Sequence, residues 1–260
     1  MSVSGAGQAT LLTFAPMVDS EFARLLLRHY RMPFREADHM FGWCSLVAIR
    51  HGGYGRIPLL HGDGPRLAGP RKIFAHFDPL APAGHRLMPE DAVARQAVER
   101  DVLRFNGDLG MDVAVASYFH LLPERTMMSA YFAQGLPRWE ARGTPFSYPL
   151  LRLLFKLLLK LTPQRAEAAL KRISVIFDET DERLRDGRRF LAGESLTLDD
   201  IALASAAAPL LHPPGFAAPV PTVEQMPPTL RDLANALAAK PTARLLERIY
   251  AAIPEPSAQP

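Results

Sequence analysis

The segment 190–205, FLAGESLTLDDIALAS, constrains the fold more than any other stretch of the chain. Thr197 takes the N-cap of a helix and Asp200 falls at N3, so each side chain can answer the other's orphan backbone N–H. This is a capping box with Asp where Glu or Gln is usual. Leu196 at N′ and Ile201 at N4 form a hydrophobic staple, and Asp199 and Asp200 lie in the first turn, where the helix dipole favours negative charge. The run that follows, IALASAAAPLL, is apolar on nearly every side. Such a helix belongs in a core rather than on a surface. The segment is a folding signal and carries no chemistry of its own.

A chain of 260 residues has room for one large or two ordinary domains. With 48% apolar and 22% charged residues it has the composition of a soluble globular protein. The net charge is +3, and the densest basic cluster, Arg183, Arg185, Arg188 and Arg189, is interleaved with Asp181, Glu182 and Asp186. That pattern marks a solvated helix end rather than a nucleic-acid surface. The single cysteine, Cys44, rules out an intrachain disulfide and a Cys-rich metal site. The histidines are scattered without paired ligand spacing, so no metal centre is expected. The opening MSVSGAGQATLLTF has neither a basic n-region nor an apolar h-region, so no signal peptide is expected and the cytoplasm is the expected compartment.

The periodicity changes once along the chain. TLLTFA at 10–15 reads as a buried strand, Ser20–Tyr30 as a helix, and a second extended run begins near Phe34. A polar, Gly-rich stretch leads to RIPLLH at 56–61, and Asp63-Gly64 signals a hairpin returning through 65–68. Arg71–Leu80 reads as a helix. The Pro-, Gly- and Ala-rich segment 79–89 reads as a linker. Beyond it the pattern is helical throughout: Glu90–Leu122 with an interruption at Gly107 or Gly110, Pro149–Leu161, Gln164–Asp186, the capped helix, and Pro228–Ile253. The Pro-rich 209–228 reads as an irregular loop and the tail after Pro254 as disordered. The expected architecture is a small α/β domain at 9–80 followed by an all-α domain at 90–253.

Those residues and motifs resemble the glutathione transferases, over nearly the whole chain from about residue 10 to residue 253. The Thr-x-x-Asp box with its preceding glycine and following Ile-Ala run is similar to the capping-box motif of their C-terminal domain. Ile57-Pro58-Leu59 matches their "valine-or-isoleucine, proline, leucine" before a hairpin, and SEFARLLL at 20–27 looks like the "SEKVRLAL" segment of bacterial members. Residues 130–139, 149–161 and 228–250 resemble one uncharacterised bacterial branch. The resemblance implies a thioredoxin-like N-terminal domain, a cis bond before Pro58, and glutathione as co-substrate held by backbone contacts at Ile57. It further implies a small hydrophobic electrophile as second substrate, a detoxification role and a homodimer.

Two positions depart from the family pattern. The Glu-Ser or Asp-Ser pair that takes the γ-glutamyl carboxylate falls in this register on Gly69 and Pro70. Proline has no N–H to donate and no hydroxyl, which leaves Arg71 as a neighbouring source of charge. The Cys-Pro-Tyr-Ser of the bacterial relatives becomes Met17-Val-Asp-Ser20, so the thiol-activating position holds an inert Met17. The resemblance leaves Ser20 as the candidate catalytic residue, where a hydroxyl at a helix N-terminus can donate to a thiolate; N-capping is its competing role. Asp19 beside it would raise a nearby thiol's pKa.

Tyr118, Phe119 and His120 fall where family members line the electrophile pocket, with Trp139 and Tyr131 as further roof candidates; ordinary helix packing is the alternative for each. The loss of Met17 and Gly69-Pro70 chemistry defines a second functional reading, a non-catalytic binding or structural protein on the same fold. His51-Gly-Gly-Tyr-Gly is similar to an esterase oxyanion loop, but no GxSxG elbow accompanies it. LLRLLFKLLLKL at 150–161 carries Arg152, Lys156 and Lys160 as a basic stripe. It is too short to span a bilayer, and the expected outcome is a helix buried in the bundle with its charged heads in solvent rather than membrane contact.

Overall fold

A computed structural model describes residues 9–253; the expected disordered tail after Pro254 lies outside them, as does most of the segment read for a signal peptide. Strand β1 (Ala9–Thr13) is central in a four-stranded mixed sheet of order β2-β1-β3-β4. It runs parallel to β2 (Phe34–Asp38) and antiparallel to β3 (Leu59–His61), which pairs antiparallel with β4 (Leu67–Ala68). Leu11 and Leu12 point to opposite faces and both are buried, so the sheet is covered on two sides, which explains the unbroken apolar run in the sequence. Helix α1 (Val18–His29) makes the crossover from β1 to β2, and α3 (Pro70–Phe77) packs beside it.

The Gly-rich stretch before β3 contains a helix that the sequence reading leaves out, α2 (Trp43–Arg50). Its start has no side-chain cap, with Gly42 at φ 94°. Apolar residues occupy both of its faces: Cys44 and Ala48 are buried while Trp43, Leu46 and Ile49 are exposed. A 3.6-residue stripe therefore never emerges from the sequence. The order is βαβαββα.

From residue 92 onward the regular structure is helical. The long 90–122 pattern resolves into α4 (Ala92–Val102), a π-helical stretch at Leu103–Leu109 and α5 (Gly110–Leu121). A Cβ at Gly110 would stand 3.3 Å from Val18 Cγ1, so glycine there permits α5 to approach α1. Next come α6 (Arg125–Phe132), α7 (Arg138–Leu158) and α8 (Pro163–Arg183). Then follow the capped helix α9 (Leu198–Leu211), α10 (Pro228–Ala238) and α11 (Pro241–Ala252). Pro241 divides the expected single helix at 228–253 in two by occupying the first turn of α11.

Helix α9 is the hub of the molecule, packed against α1, α4, α5 and α11, with Ile201–Ala204 and Ala206–Ala208 fully buried. The capping box is present: the Asp200 carboxylate accepts from Thr197 N, and the Thr197 hydroxyl donates to it, both at 2.9 Å. The same carboxylate accepts from Leu191 N at 2.9 Å, which ties the preceding loop to the helix start. Tyr250 donates to Glu21 at 2.8 Å, closing α11 onto α1.

Helix α7 corrects the reading of its sequence in two ways. It begins at Arg138 and passes through Pro145 and Pro149 rather than starting at the second proline. Only the side bearing Thr144, Tyr148, Leu151 and Phe155 is buried; Leu150, Leu153 and Leu157 face outward. No described helix is long and apolar enough to cross a membrane.

Candidate functional site

Where β1 ends, the chain turns at Pro16 and enters α1 with Met17 at the N-cap, which contributes no side-chain hydrogen bond. The amides of Val18 and Asp19 have no intrahelical acceptor, the first backbone bonds being Ser20 N and Glu21 N to Met17 O. The positive end of α1 is thus left open. Ser20 sits at N3, not at the N-cap considered for it from the sequence, and is fully buried. Its hydroxyl donates to Phe14 O at 2.9 Å, clasping the turn between β1 and α1.

A cavity of about 350 Å³ opens beside this turn. Phe14, Met17, Asp19, Asn106, Tyr118 and Phe155 are among the residues that line it. Phe155 gathers the aromatic rings, with centroids 4.9 Å from Phe41, 4.5 Å from Tyr118 and 6.1 Å from Phe132. Burial pushes the Tyr118 phenol well above its ordinary range, so it remains a neutral O–H donor, and no hydrogen bond joins it to another described residue.

Beside Ser117 and the Tyr118 phenol, the lining carries a polar pair that the sequence reading leaves unassigned as a site. Asn106 Nδ2 donates to Asp19 Oδ1 at 3.1 Å, while Asn106 Oδ1 is buried without a partner. Burial pushes the Asp19 carboxyl above the usual carboxylate range, against the opposing effect of the Asn106 hydrogen bond. Asn106 reaches the cavity from the π-helical stretch between α4 and α5. Such a stretch inserts an extra residue per turn and re-aims side chains, and it recurs at functional sites. The sequence signal was the pair of glycines, Gly107 and Gly110, inside a helical pattern.

The positions matched to the glutathione end gather at the β3–α3 edge. The Ile57–Pro58 bond is cis, and Pro58 O accepts from Gly69 N at 2.7 Å. The N–H and C=O of Ile57 make no bond to other described residues. Leu12 pairs with Leu59 and Leu11 with Leu60, so Ile57 and Pro58, just ahead of β3, lie at the end of the sheet where β1 runs out toward α1. Gly69 is the N-cap of α3 with φ 85°, and Pro70 is its first residue. Arg71 is exposed. The start of β3 and the β1–α1 turn that borders the cavity thus lie at the same end of the sheet.

Phe119 and His120 do not line the cavity; their rings pack edge to face at 5.1 Å, and burial lowers the His120 pKa. Trp139 lies outside the cavity against Trp43, and Tyr131 donates to Gln225. Among the described residues no group of three or more His, Cys, Asp or Glu is placed to hold a metal ion.

No protein-family model matches the chain, and no curated protein matches it in sequence. Solved structures do match. The glutathione transferase GSTFuA3 from Phanerochaete chrysosporium superposes with a TM-score of 0.60 at 14% identity, covering 96% of this chain and 98% of that one. The β-etherase LigF from Sphingobium sp. strain SYK-6 gives 0.56 at 18% identity, covering 93% and 99%. A glutathione S-transferase from Methylobacillus flagellatus, solved with glutathione bound, gives 0.53 at 21% identity, covering 94% of each chain. The fold is that of the glutathione S-transferases. Its thioredoxin-like half supplies the β3–α3 edge and the start of α1, and its helical half supplies most of the cavity.

Proposed function

We propose that the protein is a glutathione transferase that joins glutathione to a hydrophobic electrophile, or uses it to displace a group from one. The observation that carries this reading is an apolar cavity that opens onto the uncapped N-terminus of α1, with the unpaired backbone of Ile57 at the same end of the sheet. The Ile57 N–H and C=O suit the cysteinyl unit of the tripeptide. The γ-glutamyl end is served less well: Pro70 offers neither hydroxyl nor amide, and the remaining groups are the Arg71 amide and guanidinium at the start of α3.

Thiol activation then falls to Asp19 rather than to Ser20, whose proton is already given to Phe14 O. A carboxylate with a raised pKa is a stronger base. It takes the S–H proton, becomes a neutral acid that no longer repels the thiolate, and leaves the sulfur facing the amides of Val18 and Asp19. The thiolate forms the S–C bond to the electrophile while the leaving group departs with its electron pair, and Asp19 returns the proton to solvent. Tyr118, held as a phenol, donates to an oxygen or halogen on the electrophile inside the cavity.

The second reading, a non-catalytic binding or structural protein, is favoured by the inert Met17 side chain at the N-cap of α1 and by Gly69-Pro70 at the start of α3. Calorimetric titration with glutathione, followed by turnover of an aryl halide, separates the two. The transferase reading predicts one site per chain and a rate above the uncatalysed reaction. Binding without turnover, or no binding at all, overturns the transferase reading and supports the second, a binding or structural protein.

A further inference from the structure

The basic, leucine-rich run of α7 takes part in the cavity through Phe155 and its last residues only. Of its exposed apolar side chains Leu158 turns to the cavity, and the other five large ones, Trp139, Phe146, Leu150, Leu153 and Leu157, fall within an arc of about 60° at 3.6 residues per turn, in a stripe roughly 27 Å long. Phe146 is 88% exposed, Leu150 70% and Leu157 64%. Exposed Arg138, Arg142 and Lys156 follow one edge of the stripe, with Arg152 beyond them. Between Arg125 and Ala166 the one acidic residue is Glu140. It is 2% exposed, with one oxygen 2.5 Å from His39 Nδ1 and the other accepting from Met40 N at 2.7 Å.

Those two contacts also fix the loop before α2 to α7, and Trp139 rests edge-on against Trp43 with centroids 5.4 Å apart. The surface continues from there through exposed Leu46, Ile49 and Tyr54, with Arg50 and Arg56 beside them. No acidic residue stands between Asp38 and Asp63. The face is therefore apolar, aromatic-rich and positively charged, without an exposed carboxylate from either segment.

We propose that this face docks on the surface of an anionic lipid bilayer. The stripe enters the boundary between headgroups and acyl chains, the tryptophans sit at headgroup level, and the arginines and lysines meet lipid phosphates. Charge argues against a second copy of the chain as occupant, because a two-fold contact here sets one copy's cations against the other's. The inference goes beyond the glutathione reading and does not depend on it.

Co-sedimentation with vesicles tests it, using phosphatidylcholine alone and phosphatidylcholine with about 30% phosphatidylserine, since anionic lipid sets the surface potential. The wild type pellets with the second and stays in the supernatant with the first, and raised salt releases it. Leu150→Glu with Leu157→Glu weakens binding about tenfold or more while the unfolding midpoint holds, both sites being exposed. Arg142→Glu with Lys156→Glu weakens it roughly fivefold per charge. Val93→Glu with Leu103→Glu, exposed positions outside the face, leaves it unchanged. The proposal is overturned if the wild type ignores phosphatidylserine vesicles or if the Leu150, Leu157 variant binds like the wild type. A wild-type dimer that this variant splits would assign the face to self-association. Tight capture of soluble polyaspartate in place of vesicles would assign it to an acidic protein.

Discussion

Asp19 and Ser20 are adjacent in the first turn of α1, and their hydroxyl and carboxylate have opposite fates. The serine proton is committed to Phe14 O, whereas the aspartate lines the cavity with its pKa raised by burial. Asp19→Asn should therefore lower the rate on an aryl halide by roughly a hundredfold, the usual scale of general base catalysis. Ser20→Ala should cost about 1 kcal/mol of stability, one hydrogen bond, and little rate. The pH profile gives the sign: Asp19 must be ionised to accept the proton, so wild-type kcat/KM falls as pH drops through a value above the ordinary 3.8. Asp19→Asn should lose that limb. Equal rates in Asp19→Asn and wild type would remove the assigned base.

At α3, the residue to restore is Pro70 alone. Gly69 holds φ 85°, where a side chain is strained, so a glutamate there would trade one defect for another. Pro70→Ser returns an amide and a hydroxyl to the helix start. It should tighten glutathione by about tenfold, the scale of one charge-assisted hydrogen bond, as read by titration. Unchanged affinity would mean that Arg71 has already taken over the γ-glutamyl carboxylate.

Among the elements, α9 is where sequence and structure agree most closely, because a capping box and an all-round apolar helix are local signals with one compatible packing. Thr197→Ala should cost about 1 kcal/mol, a typical cap. Asp200→Ala should cost more, roughly 2–4 kcal/mol, because it strands the buried amides of Leu191 and Thr197. The double variant should cost less than the sum. Denaturation midpoints report all three, and equal losses in the two single variants would contradict the bonds drawn to Leu191.

Asp199 adds a pH term to the same helix start. It is fully buried, neither oxygen accepts a hydrogen bond, and Arg183 Nη2 stands 3.6 Å away. Burial raises the pKa of both Asp199 and Asp200, and the Asp199 charge raises Asp200 further. The folded state then holds these protons more firmly than the unfolded chain. Their contribution is greatest in acid and is lost as pH rises from the ordinary carboxylate value through the raised one. Asp199→Asn should flatten that fall and raise the neutral-pH midpoint relative to wild type. A wild-type midpoint that climbs between weak acid and neutrality more steeply than the variant's would reverse the sign.

The elements that the sequence hid share a physical cause. Helix α2 shows apolar residues on both faces because its outer face, with Trp43 and Ile49, is exposed rather than solvated by charge. Helix α7 hid its first three turns behind two prolines, which normally mark helix starts. Asn106 looked like one polar residue in a long amphipathic pattern, because Gly107 and Gly110 mark an interruption there without specifying a π-helical turn.

For the whole molecule, the change from short β and mixed periods to helical periods after residue 89 was enough to place the two-part architecture. The apolar cavity between the parts was not legible, because Phe14, Phe41, Tyr118 and Phe155 come from four separate segments. What joins them is packing of the helical half onto the end of β1. Under the transferase proposal a glutathione sulfur held near Ile57 faces that cavity, and titration with S-hexylglutathione beside glutathione checks this. If the hexyl chain enters the cavity, burying its methylenes at about 0.8 kcal/mol each should tighten binding by at least tenfold, and Phe155→Ala should erase most of the gain. Equal affinity for the two ligands, or a hexyl gain that Phe155→Ala leaves intact, would mean that the sulfur does not face the cavity.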